Sequence, residues 1–440
     1  MNALLVSLLV LSYGFVGFAH MNNPRPDPIR RINIERVLRT LTSDEMMGRP
    51  ANRPERIEPA AAFLEKEFRS IGLEPLPGEE SLRQRFDKHR IVTKSAVVRI
   101  DGREVPAKDI LIASERTSFR SGTPLPIHRI ADDSTMKDKR RLISTRYRTL
   151  LRDTAAAVIV VDESLREGCR AFRGFFNGRL AAGQPGTKIM IIGPWVGAQA
   201  EAEFAQEKEV VPMANIGGMI RGKSKPEEYV IFSAHYDHIG VLQAVAGDSV
   251  ANGADDDATG TTAVVELARY FKKAGRQERT LLFVAFTAEE IGGFGSRYFS
   301  EQLNPDQVVA MFNIEMIGKP SKFGRNTAWI TGFERSDFGS ILQGNLNDTP
   351  FRFHPDPYPD QNLFYRSDNA TLARLGVPAH SISTDEIDID KRYHSVDDEF
   401  DSIDLDNLEA TIRAIALSAR GIIAGKETPK RIDKATVQGR

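Results

Sequence analysis

The sequence predicts an α/β protein: a mixed, mostly parallel sheet sandwiched by helices, carrying an inserted strand-rich subdomain. Three observations predict it. From about residue 212 onward, apolar strand-like runs alternate with amphipathic helical ones, the pattern of a sheet covered on both faces. The run TLLFVAFTA is apolar along its whole length, as a strand buried on both sides requires. Between about 90 and 208 the texture changes to short β-type segments around turn signals, which reads as an insertion.

Taken in order, RINIERVLRTL spaces Ile34, Val37, Leu38 and Leu41 as one face of a helix, and EPAAAFLEKEFRSIGL follows as a second helix with Pro59 near its start. In the insertion, IVTKSAVVRIDGREV has β-type residues about a DG turn, and TAAAVIVVDE and TKIMIIG read as short buried strands. Then EYVIFSA reads as a strand, TTAVVELARYFKKA as a helix presenting Val264, Leu267, Ala268 and Phe271, and VVAMFNIEM as a further strand. The expected division is a leader at 1–19, N-terminal helices of a catalytic domain at 20–89, the insertion at 90–208, the catalytic domain at 209–425 and a frayed basic tail at 426–440.

Composition narrows the function. The 440 residues carry 59 Lys plus Arg against 60 Asp plus Glu, so a formal net charge of -1 gives no general attraction to nucleic acid or an anionic membrane. Cys169 is the single cysteine, which excludes an intramolecular disulfide or a multi-thiolate zinc cage and is read as packing. Residues 3–19, ALLVSLLVLSYGFVGFA, resemble a secretory signal with small residues Gly17 and Ala19 before a cut. They are too short and interrupted for a spanning helix. An exported, periplasmic or extracellular protein without stable membrane insertion is expected.

In open α/β sheets ligands lie beyond the carboxyl ends of the strands, and there the chemistry-bearing residues collect. SAHYDHIG supplies His235 and Asp237, TAEEIGG supplies Glu289 and Glu290, and NIEMIG supplies Glu315. NGADDDATG places three aspartates before a helix, and RYHSVDDEFDSID brings His394. Each has an ordinary reading alone: a turn histidine, an Asp cap, a solvated glutamate pair. Their coincidence at successive strand ends points to metal chemistry. Two divalent ions about 3.5 to 4 Å apart need a bridging carboxylate and terminal His or carboxylate ligands, and a hydrolase also needs a base that is not a ligand. In HxD, Asp237 is placed to receive the second ring N–H of His235.

SAHYDHIG, ANGADDDATGTTAVVELARYF, RTLLFVAFTAEEIGGFGSRYF, FNIEMIG, YRSDNATLARLGVPA and YHSVDDEFDSID together resemble the co-catalytic zinc exopeptidase family, which includes bacterial leucyl aminopeptidases and glutamate carboxypeptidase II. LTSDEMMGRP and FLEKEFRSIGLEP resemble that family's N-terminal helices. The resemblance implies two zinc ions per chain, bridged by Asp256, one completed by His235 and Glu315 and the other by Glu290 and His394. It implies Glu289 as general base and Asp237 as the group orienting His235, with Asp255 and Asp257 as cap and supporting residues and His238 outside the ligand set. Glu315 stands where the best-known members have Asp, and SDN at 367–369 where SDH is frequent.

The function so implied is that of an exported aminopeptidase acting on peptides, with water held between two zinc ions attacking the scissile carbonyl. Three alternatives stay open. They are a carboxypeptidase for acidic C-termini with Arg366 facing the substrate carboxylate, a single-zinc glutaminyl cyclase, and a non-catalytic binding protein of the same fold.

Overall fold

The computed structural model describes residues 29–437 except 137, 152, 170–178, 182, 184, 185 and 276. The leader expected at 1–19 lies outside the described residues. Among those described, eleven strands form one sheet. Its order is Arg352–Pro355, Thr327–Ile330, Ala379–Ser383, Val308–Ile314, Lys225–His235, Arg279–Phe286, Ala200–Ile220, Arg83–Ile100 and Arg103–Glu104, with two short strands attached at the side.

The centre of this sheet is parallel. Lys225–His235 lies between Arg279–Phe286 and Val308–Ile314, and the last of these also pairs parallel with Ala379–Ser383. Both faces of the central strands are covered, which is why they are apolar throughout. Val230, Phe232 and Ala234 face a core shared with the helices Arg31–Leu41, Pro54–Ile71, Gly260–Ala274 and Leu405–Ser418. Tyr229 and Ile231 point the other way, into a core shared with the helices Phe294–Glu301 and Asn369–Ala373. The second N-terminal helix starts at Pro54, where proline is pre-organised for a first turn, so Pro59 lies inside it rather than at its start.

On the insertion side the sheet becomes antiparallel. Ala200–Ile220 pairs antiparallel with Arg279–Phe286 and, over almost its full length, with Arg83–Ile100. The boundaries expected near 90 and 208 therefore fall within two long strands that belong to the main sheet at one end and carry the insertion at the other. Between them lies a separate four-stranded sheet, ordered Ile110–Ala113, Lys188–Ile192, Ala157–Val161 and Ile127–Ile130, with cores of its own. Cys169 is buried in one of those cores.

The tail expected to fray is docked as far as Val437. Ile432 and Val437 join the second core, and the Arg431 guanidinium donates to the carbonyls of Pro305 and Val308 at 3.0 and 2.8 Å. These two apolar side chains stand eight and three residues from the end of the chain, in a basic segment, and pack into the core that also holds Phe299 and Leu372.

One buried histidine yields a prediction unconnected with metals. His380, on Ala379–Ser383, sits between the Thr331 carbonyl at 2.7 Å and the Ser336 hydroxyl at 2.8 Å, stacked on Phe338. Burial lowers its imidazole from 6.5 to about 4. The unfolded chain then binds the proton first, so stability is full above about 6.5 and falls as pH drops toward about 4, by about 3 kcal/mol. Denaturant unfolding of metal-stripped protein at both ends of that window should show a smaller fall for His380→Gln than for the parent. Equal falls would refute the assignment.

Candidate metal centre

The site begins where parallel strands stop. His235 ends Lys225–His235 level with Phe286, and Ser233 is level with Asn313 on the other side. The chain thus leaves the sheet at nearly one height three times, delivering His235, then Glu289 and Glu290 just past Phe286, then Glu315 just past Ile314. Left-handed backbone turns the chain at Ala288, Met316 and His394, with φ of 61°, 50° and 55°. For side chains of this kind such torsions are costly, and they persist where surrounding contacts over-determine them, commonly at functional sites.

The three aspartates divide their work. Asp257 accepts the backbone N–H groups of Met316, Gly260 and His235 at 3.0, 3.1 and 3.3 Å. Asp255 accepts the Gly318 N–H at 2.7 Å and pairs with Lys319 at 3.1 Å. Asp257 also keeps a carboxylate oxygen near His235 and Glu315, but Asp256 is the one that faces both His235 and His394, while its own N–H is held by the Asp398 carboxylate at 3.1 Å. Asp256 Oδ1 lies 3.3 Å from His235 Nε2, and its Oδ2 lies 3.2 Å from His394 Nε2. Glu315 Oε1 joins the first set, 3.3 Å from His235 Nε2, and Glu290 Oε2 joins the second, 3.0 Å from His394 Nε2. The structure therefore brings His235, Asp256, Glu290, Glu315 and His394 to one place, with one carboxylate turning an oxygen to each of two donor sets.

That geometry fits two cations. All the donors are imidazole nitrogens or carboxylate oxygens, and His235 Nδ1 lies 3.0 Å from the Asp237 carbonyl, which fixes the proton there and turns the Nε2 lone pair into the site. Burial acts to lower the His394 imidazole, but hydrogen bonds to Asp256 and Glu290 outweigh it and raise it to about 10. His235 is also raised well above 6.5, against burial, by Glu315 and Asp256. So much negative charge on so few nitrogens is what a divalent cation would neutralise. His235 is buried, whereas the His394 side chain is 38% exposed and opens the site to solvent.

One expected role changes hands within a residue. The His235 ring N–H is received by the backbone oxygen of Asp237, not its carboxylate, which is 3.8 Å away. The Asp237 carboxylate instead accepts the backbone N–H groups of Glu289 and Glu290 at 3.0 and 3.4 Å, so it aims the glutamate pair. Burial, partly offset by His235, pushes its own carboxyl up to about 7.

Sequence reasoning missed three contributors. His238, set aside as a non-ligand, lies 2.8 Å from Glu290 Oε1. Ser367 donates to Glu315 Oε2 at 2.6 Å, and Tyr393 stacks on the His394 ring at 3.9 Å between centroids. The second histidine of HYDH and the serine of SDN were visible signals, but neither has a role that residue type alone reveals.

Residues 215–419 match the family model described as peptidase family M28. The match takes in a little under half of the chain. Among curated relatives, a probable zinc metalloprotease of Leptosphaeria maculans is 34% identical over 110 residues, covering 24% of this chain and 25% of the relative. Aminopeptidase YwaD of Bacillus subtilis is 23% identical over 238 residues, covering 50% of this chain and 47% of the relative. The matched stretches thus span from a quarter to about half the length of these relatives. Among solved structures, an aminopeptidase from Aneurinibacillus sp. strain AM-1 superposes with a TM-score of 0.54 at 16% identity, covering 94% of this chain and 97% of that one. At that identity the likeness establishes the shared fold. The M28 segment starts within the long strand Ala200–Ile220 and contains His235, Asp256, Glu289, Glu290, Glu315 and His394.

Proposed function

We propose that the protein is an exported aminopeptidase that binds two zinc ions and hydrolyses N-terminal residues from peptides. The observation that carries the reading is the two-sided carboxylate of Asp256, with His235 and Glu315 on one side and Glu290 and His394 on the other. When bound, the two cations would supply Lewis-acid polarisation of the scissile carbonyl and a lowered pKa for the attacking water. Glu289 is the base in this reading. Its carboxyl is raised well above the ordinary range by burial and by the charges of Asp368, Glu315 and Glu290, against the lowering effect of His235. It takes the proton of the attacking water and returns it to the leaving amine. Asp237 holds the backbone of Glu289 and so fixes the direction of that transfer.

The aminopeptidase choice rests on the relatives named as aminopeptidases and on the zinc named in others. Glu315 lies within reach of His235 and is pinned by Ser367, which favours two cations over the single zinc of a cyclase. Export rests on the apolar leader at 3–19. No helix among the described residues is long and apolar enough to cross a membrane.

Elemental analysis of the purified full chain is expected to find two zinc ions per chain, and the same preparation should release N-terminal residues from aminoacyl peptides and lose activity on chelation. One zinc without peptide hydrolysis would turn the reading to the cyclase, while release of acidic C-terminal residues would make Arg366 the group to vary. Two zinc ions with no turnover of any substrate would favour a binding protein.

A further inference from the structure

We propose that His238 is a positioning residue for one of the two metal sites: its Nδ1–H holds Glu290 Oε1, so that Glu290 presents only Oε2 to the cation. The inference rests on the two-metal reading and adds a role which that reading does not need.

Glu290 has its two oxygens divided between two histidines. Oε1 is 2.8 Å from His238 Nδ1, and Oε2 is 3.0 Å from His394 Nε2. His238 Nδ1 is 3.8 Å from Asp256 Oδ2, farther than the 3.2 Å of His394 Nε2, so His238 stands behind Glu290 rather than beside Asp256. An ionised carboxylate can only accept, so a contact of 2.8 Å puts the proton on Nδ1. The other ring nitrogen, Nε2, is buried without a hydrogen-bond partner among the described residues. Were Nδ1 itself a metal ligand, the proton would move to Nε2 and become an orphaned buried N–H. A bare lone pair there is the cheaper state.

The rest of the fold keeps the ring in place. His238 is 1% exposed, and its N–H donates to the Arg49 carbonyl at 3.1 Å. Its ring packs against Gly253, where a Cβ would lie 2.5 Å from Cγ and where φ is 56°, so only glycine admits the ring. The opposite metal site is built the same way with different chemistry. Ser367 donates to Glu315 Oε2 at 2.6 Å, leaving Oε1 to face His235, and Asn313 donates to Ser367 at 2.8 Å. Each of the two glutamates thus has one oxygen tied from behind and one facing a histidine that also contacts Asp256. Removing such an outer partner of a metal ligand commonly costs ~10–100-fold in metal affinity.

Asparagine places its amide N–H about where Nδ1 stands, whereas glutamine places it near Nε2, so the two substitutions separate the hydrogen bond from the bulk of the side chain. The experiment is zinc titration by calorimetry of metal-stripped full-length chain, repeated with cobalt(II) absorption, in two backgrounds that each keep one site. In a His235→Ala background the remaining site uses Glu290 and His394. There H238Q should weaken binding ~10–100-fold and H238N should stay within about twofold of the background. In a His394→Ala background, H238Q should stay within about twofold while Ser367→Ala weakens binding. Unfolding midpoints of the metal-stripped proteins report whether each variant folds. Equal losses for H238Q and H238N, or equal losses in both backgrounds, would overturn the positioning role and leave the two-metal reading standing. A parent protein that binds fewer than two zinc ions would remove that reading and this inference with it.

Discussion

Glu289→Gln is expected to lower kcat by ~10²–10⁴-fold while leaving zinc content at the parental level. The amide keeps the size of the carboxylate, and the Glu289 backbone N–H stays on Asp237, so neither packing nor the approach of Glu290 should change. What is lost is the ability to take a proton. The Glu289 carboxyl is well suited to that task because burial and three neighbouring carboxylates raise its proton affinity above that of an ordinary glutamate. Its neighbour behaves in the opposite sense: Glu290 is held low, against burial and Asp256, by its hydrogen bonds to His238 and His394, which keeps its carboxylate ionised, as the proposed ligand role requires. Adjacent residues are thereby pushed apart in proton affinity, the usual mark of an acid–base group beside a charged one. Steady-state kinetics on a peptide substrate, with metal analysis of the same samples, makes the check. A variant with parental kcat would remove Glu289 from the mechanism, and one that lost zinc would make it a ligand.

Much of this site was legible because its residues sit at places the chain pattern marks. The apolar runs ending in His235, Phe286 and Ile314 are read as strands from composition alone, and parallel pairing brings their ends level without further information. The choice of Asp256 over Asp255 and Asp257 came from resemblance. In the structure the three differ: the outer two accept backbone N–H groups, and the middle one faces both His235 and His394. His238 was not legible: a histidine after HxD looks alike whether it fills a turn or holds Glu290, and the difference lies in a contact across 52 residues. The substitution of the Asp237 carbonyl for its carboxylate is equally invisible, because both belong to one residue. The insertion boundaries failed for another reason. Alternation identifies a strand but not its length, and Arg83–Ile100 and Ala200–Ile220 continue through both expected limits because each stabilises the other.

Arg49 links the early helical region to the candidate metal centre, and replacing it should have the largest effect on stability. It is fully buried, and its guanidinium donates to the carbonyls of Leu41, Asn252, Tyr236 and Gly253 at 2.5, 2.6, 2.8 and 3.0 Å. Those carbonyls belong to the end of the first helix, the loop after His235 and the turn leading into the aspartates, so one side chain ties together the segments that carry His235 and Asp256. Burial lowers its affinity for the proton, yet the nearby charges of Asp237, Asp256, Asp398 and Asp257 oppose that and favour the cation. Arg49→Met should therefore cost about 4 kcal/mol or more, from carbonyls left unpaired and from a carboxylate cluster left without its fixed positive charge. Arg49→Lys should recover only part, because an ammonium cannot reach four carbonyls in the plane of a guanidinium. The two components separate with metal. If charge compensation matters, saturating zinc should shrink the loss, since divalent cations replace what Arg49 supplied; if only the hydrogen bonds matter, the loss should be the same with and without zinc. Denaturant unfolding of the parent, Arg49→Met and Arg49→Lys, each stripped and zinc-loaded, measures both, and a loss below about 1 kcal/mol in the stripped protein would show that water replaces the guanidinium at the four carbonyls.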